Sequence, residues 1–184
     1  MFSSPRYALP ARLMHWIVAL GVLALYPLGL WATSRAEANL WDDLTNTLYA
    51  WHKTIGFAVL ILMVLRLVIR VRGVAPPYPR NLAAWEISAA TGTHHLLYLL
   101  LFIVPLLGWA GVTAFPALGI LAGMHLPAMP FLPTGEPLAM SLFDWHANMA
   151  FVLGALLILH VLAAIRHLVV KRDGVVDRMW FGSN

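Results

Sequence analysis

The chain has 184 residues, of which 61% are hydrophobic and only 11% charged, with a formal net charge of +4. A soluble domain carries about a quarter charged residues, so this composition points to an integral membrane protein and leaves no polar stretch for a separate soluble domain. The absence of cysteine excludes thiolate-held iron–sulfur clusters, thioether-linked haem and structural disulfides.

Four apolar stretches follow one another, each near the ~20 residues that a helix needs to cross a hydrocarbon core. The first covers residues 13–32 and carries His15 near its start, in Met14-His15-Trp16. It lacks a small-residue cleavage site where a signal peptide needs one, so it is read as retained. Residues 33–53 form a short connection in which Asp42 and Asp43 open a turn, and it ends in Trp51-His52-Lys53. The second stretch covers residues 54–71. Residues 73–93 then hold Pro76, Pro77, Pro79 and Trp85, which predicts an extended loop at the membrane interface.

The third stretch, residues 96–115, contains Pro105 and several glycines. Membrane helices tolerate these because neighbouring helices re-satisfy the freed backbone groups. Residues 116–145 are the longest connection; they are rich in proline yet mostly apolar, and are expected to lie over the helix ends as a cap. The fourth stretch covers residues 147–170, opens just after Trp145-His146 and holds His160 towards its far end. No internal repeat is evident. The fold class expected is an all-α, four-helix transmembrane bundle.

Orientation follows from Lys and Arg. Arg6, Arg12, Arg66, Arg70, Arg72, Arg80, Arg166, Lys171, Arg172 and Arg178 fall on one side of the four spans, and only Arg35 and Lys53 on the other. The positive-inside rule makes the first side, with both termini, cytoplasmic. The basic balance thus reflects topology and contact with lipid headgroups, with no nucleic-acid partner expected.

His146 and His160 are fourteen residues apart. On an α-helix that spacing returns to within ~40° of the starting direction after a rise of ~21 Å. Both rings therefore share one helix face, at two depths of a hydrocarbon core ~30 Å thick. His52 matches the depth of His146 on the outer side, and His15 that of His160 on the inner side. Ionisable groups within a bilayer are costly and point to function. Interhelical hydrogen bonding is the plainer alternative, but the spans carry few of the other polar groups that serve it. Zinc asks for three or four ligands in one cluster, whereas two pairs suit the axial positions of two haems. A bis-imidazole iron leaves no open position, so such centres carry electrons. Gly56 and Gly154 offer helix faces free of bulk for a flat macrocycle, or simply close helix packing. His94 and His95 are expected to face headgroups or water, and His125, in the outer loop, has no evident partner.

With these residues in place, the chain resembles the bacterial cytochrome b561 family over nearly its whole length. The resemblance rests on His15-Trp16, on His52 with Gly56 ahead of Arg66 and Arg70, and on His94 with Tyr98, Pro105 and Gly108. It continues through Trp145-His146, His160, His167 and Arg178-Met179. It implies a single domain over residues 1–184 in the bacterial inner membrane, holding two b-type haems. His15 with His160, and His52 with His146, would be the axial ligands. It also implies quinone chemistry: some members pass electrons from superoxide to ubiquinone, others are quinol-linked carriers.

His167 lies seven residues beyond His160 and is the candidate ubiquinone contact. The bland reading is one more basic interfacial residue. The expected function is electron transfer between an outer donor and ubiquinone; the alternative is a haem-bearing anchor subunit of a larger dehydrogenase. One departure bears on superoxide. The outer connections set Arg35 and Lys53 against Glu37, Asp42, Asp43, Glu136 and Asp144, so two cations against five anions leave −3. Only Lys53, beside His52, offers a local positive spot for an anion.

Overall fold

The computed structural model describes residues 5–79 and 81–181. Arg80, counted above among the basic residues, lies outside them. Four long helices run α1 (Leu9–Glu37), α2 (Asp43–Arg72), α3 (Ala84–Ala114) and α4 (Glu136–Ile165). All are long and apolar enough to cross a membrane. Each starts or ends well outside the stretch that hydropathy marks. Hydropathy locates the segment within hydrocarbon, whereas the helix continues through the headgroup layer with polar residues whose backbone still needs hydrogen bonds. The fourth helix thus begins at Glu136, with Pro137 in its first turn, where a missing N–H costs nothing. The third takes in Trp85 and residues up to 93, which were expected to be loop.

The short α1–α2 connection is closed by its polar groups. Asp42 caps α2, accepting from the Thr45 N–H at 3.0 Å, and receives Arg35 Nη2 at 2.5 Å. Arg35 Nε also donates to Thr45 Oγ1 at 2.9 Å. The long α3–α4 connection folds back over the helix ends, as its apolar composition implied. Trp109 Nε1 donates to Pro127 O at 2.7 Å, the Met129 N–H to Thr113 Oγ1 at 3.0 Å, and Lys53 Nζ to Ala117 O at 2.9 Å.

The helices pack chiefly as two antiparallel hairpins, α1 with α2 and α3 with α4. The shared core is Val18, Val22, Val59, Met63, Leu97, Leu100, Leu101, Val104 and Leu153. Much of the remaining apolar surface, including Leu20, Leu23, Ile158 and Leu159, faces outward, as lipid requires. Tyr26 ties α1 to α4: its hydroxyl donates to Ala150 O at 2.8 Å while its ring lies against Gly154.

At the end that carries most of the basic residues, hereafter the basic end, the C-terminal segment is pinned under the start of α1. Trp16 Nε1 donates to Met179 O at 3.0 Å and Arg12 Nη1 to Trp180 O at 2.8 Å. Arg178 is buried, lies over the rings of Tyr7 and Tyr78, and donates to Pro76 O. Glu86, at the start of α3, accepts from Arg166 at 2.9 Å and Lys171 at 2.6 Å, which joins α3 to the end of α4.

Candidate haem-binding site

The four histidines singled out by depth meet in two pairs. Near the end opposite the basic one, the rings of His52 and His146 have centres 6.0 Å apart and planes at 83°. Near the basic end, His15 and His160 lie 6.4 Å apart with planes at 69°. An imidazole nitrogen bonds a metal at about 2 Å, so two rings with one iron between them have centres roughly 6 Å apart. Among the described residues no group of three or more His, Cys, Asp or Glu is arranged to hold a metal ion.

The far pair is built identically in both hairpins. His52 on α2 leans across α1, its Nδ1 3.1 Å from Leu25 O. His146 on α4 leans across α3, its Nδ1 2.9 Å from Val104 O. A carbonyl can only accept, so each Nδ1 carries the proton and each Nε2 keeps a free lone pair for a metal. The glycine four residues beyond each carbonyl makes the close approach possible. A Cβ on Gly29 would stand 2.9 Å from His52 Cε1, and one on Gly108 3.0 Å from His146 Cε1. This donor set fits haem iron. The glycines named from sequence serve otherwise: Gly154 takes the Tyr26 ring, and a Cβ on Gly56 would make only ordinary contact with Leu25. Gly29 went unrecognised because its role depends on a ring from another helix.

The spacing repeats further. His15 lies ten residues before Leu25, and His94 ten before Val104; Arg66 lies fourteen beyond His52, and His160 fourteen beyond His146. The hairpins therefore repeat a placement that residue identity hides. In the layer near the basic end the equivalent positions differ: His15 and Arg66 in one hairpin, His94 and His160 in the other. Arg66 Nη2 lies 2.9 Å from His15 Nδ1. The His94 ring lies 5.6 Å from that of His160, so His94 approaches this pair rather than only headgroups. His94, His95 and His125 are all exposed.

Beyond Ile165 the chain widens into a π-helical turn, Arg166–Lys171, which ends at Arg172 in the left-handed region (φ 48°). The α-helical register that would align His167 with His160 stops there. His167 Nδ1 instead meets Asp173 Oδ2 at 2.6 Å, with the Asp173 side chain fully buried and that of His167 only 14% exposed. Beside them lies a hollow of about 150 Å³ lined by His167, Leu168, Arg172, Gly174, Val176 and Asp177. Single-turn π segments recur at functional positions.

The prokaryotic cytochrome b561 family profile matches residues 6–182. The chain belongs to that family. Among relatives, it is similar to cytochrome b561 homolog 2 of Escherichia coli (strain K12), with 28% identity over 177 residues, covering 95% of this chain and 90% of the relative. It is similar to a probable superoxide oxidase CybB of Yersinia pestis, with 28% identity over 170 residues and 90% of each chain covered. Cytochrome b561 homolog 1 of Escherichia coli (strain K12) is 26% identical over 174 residues, covering 90% of this chain and 92% of the relative. As a cytochrome b561, the protein is a multi-pass bacterial membrane cytochrome that binds haem b and serves electron transfer.

Proposed function

We propose that this cytochrome carries electrons through two b-type haems, from a donor on the outer face of the inner membrane to ubiquinone near the cytoplasmic face. The observation that carries this reading is the pair of histidine pairs, 6.0 and 6.4 Å between ring centres, at two depths of one bundle. His52 and His146 would hold the outer haem, and His15 and His160 the inner one. Bound haem supplies a one-electron ferric/ferrous couple. The Leu25 and Val104 carbonyls orient the outer imidazoles and raise their basicity.

Superoxide is the donor favoured at the outer face, since a probable superoxide oxidase is among the relatives. The overall outer charge does not attract an anion. Lys53, however, follows His52 directly and has no carboxylate within ion-pair reach among the described residues, whereas Arg35 is spent on Asp42. At the inner face, His167 would supply hydrogen bonds and protons to the quinone head. The buried Asp173 carboxylate fixes its ring, as a carboxylate orients a general acid.

The deciding experiment uses purified holoprotein. Pyridine-haemochrome analysis should give about two haems per chain, on the two-pair ligation argument. Superoxide generated in the medium should reduce the haems, and a short-chain ubiquinone should then reoxidise them. Failure of superoxide where a quinol or protein donor succeeds would replace the donor and leave the carrier.

A further inference from the structure

Arg66 is half-buried within the last two turns of α2, at the basic end of that spanning helix, where a guanidinium among apolar side chains needs a partner. Among the described residues no carboxylate lies within ion-pair reach of it. Its contacts are His15 Nδ1 at 2.9 Å and the Tyr98 ring, 5.5 Å from guanidinium carbon to ring centre. Arg70, one turn further, is held by the hydroxyl of Tyr7 at 3.2 Å.

The contact with His15 conflicts with ligation. Guanidinium only donates, so His15 Nδ1 accepts, and a neutral ring then carries its proton on Nε2. That tautomer offers no Nε2 lone pair to a metal. His52 and His146 show the opposite arrangement, with Nδ1–H directed at a carbonyl. For His15 to bind iron in the same way, Arg66 has to leave Nδ1 and find another acceptor. Haem brings one: its propionate carboxylates, which match the planar fork of a guanidinium and need a cation at this depth. The repeated placement sharpens the point. The position that holds a histidine in the α3–α4 hairpin, His160, holds a cation in the α1–α2 hairpin.

We propose that Arg66 is the carboxylate-binding residue of the inner haem, pairing with a propionate and leaving His15 Nδ1 free to carry its proton. The inference rests on the two-haem reading above. A fixed cation there favours the reduced, less positive state of the inner centre, so it raises that centre's potential. The outer centre has only carbonyl acceptors behind its ligands, which favour the oxidised state. The transfer thereby favoured is a single electron, with the outer centre oxidised as the inner one is reduced.

The test is potentiometry of the purified holoprotein, with haem content measured first. Two haems and two one-electron waves are expected. Arg66→Gln should make reduction of one centre about tenfold less favourable, a downward shift of about 59 mV for a one-electron couple, and leave the other unmoved. In a His52→Ala background, which keeps only the inner haem, the same substitution should lower the remaining midpoint. Haem labelled with ¹³C at its propionate carboxylates gives a second readout: the redox-difference infrared bands of the label should shift in Arg66→Gln. If that variant loses a haem, Arg66→Lys is read on the same band and midpoint. Two haems retained with unmoved midpoints and unmoved carboxylate bands would overturn the proposal. One haem per wild-type chain would instead overturn the two-haem reading beneath it.

Discussion

Gly29 and His52 approach so closely that a Cβ on the glycine would stand 2.9 Å from Cε1 of the imidazole. The same relationship joins Gly108 to His146 at 3.0 Å. In both cases the ring lies across a helix surface that glycine leaves bare, with its Nδ1 on the carbonyl one turn back. Any side chain there pushes the ring off its carbonyl and tilts its Nε2 away from the pair axis.

Gly29→Val and Gly108→Val should therefore lose the outer haem and keep the inner one. Overpacking of this kind costs about 1–3 kcal/mol, enough to displace a ligand without unfolding a bundle. Alanine should do the same more weakly. The check is haem content against helical content by circular dichroism. A protein with both haems and unchanged reduced spectra in Gly29→Val would contradict this account of the site.

The ligand pairs predict a pattern of loss. His52→Ala and His146→Ala should remove one spectral component, and His15→Ala and His160→Ala the other. Haem content should fall from about two towards about one per chain in every case. If His52 and His160 behaved as a pair, the assignment by depth would be wrong.

Topology is tested by reporter fusions. A reporter after Asn184 should read as cytoplasmic, and one inserted near Thr134 as periplasmic, because ten of the twelve basic residues lie on the side of the termini. A cytoplasmic signal at Thr134 would invert the outer and inner assignments.

For the quinone site, His167→Ala should keep both haems and their spectra yet be reoxidised by short-chain ubiquinone at least ~10-fold more slowly, within the range that a positioned proton donor contributes. Asp173→Asn should show part of the same defect, since it removes the acceptor of a 2.6 Å contact that orients the ring. Stopped-flow reoxidation at wild-type rate in a folded His167→Ala would exclude this residue from the site.

The sequence by itself determined the all-α class, the four helices apolar enough to cross a membrane and the shared helix face of His146 and His160. These depend on local hydropathy and on one helical period, which a single helix carries alone. It did not determine where helices end, because hydropathy stops at the hydrocarbon edge while Glu136, Asp43 and Ala84 begin their helices beyond it. Helix rotation and partner choice came only with the tertiary structure. Gly29 beneath His52, Arg66 against His15 and His94 beside His160 each join different helices. The likeness of the two hairpins also stayed hidden, because Arg66 and His160 hold equivalent positions with different chemistry. Spacing along one helix fixes a direction relative to its own axis; what stands in that direction depends on how the neighbouring helices turn and pack.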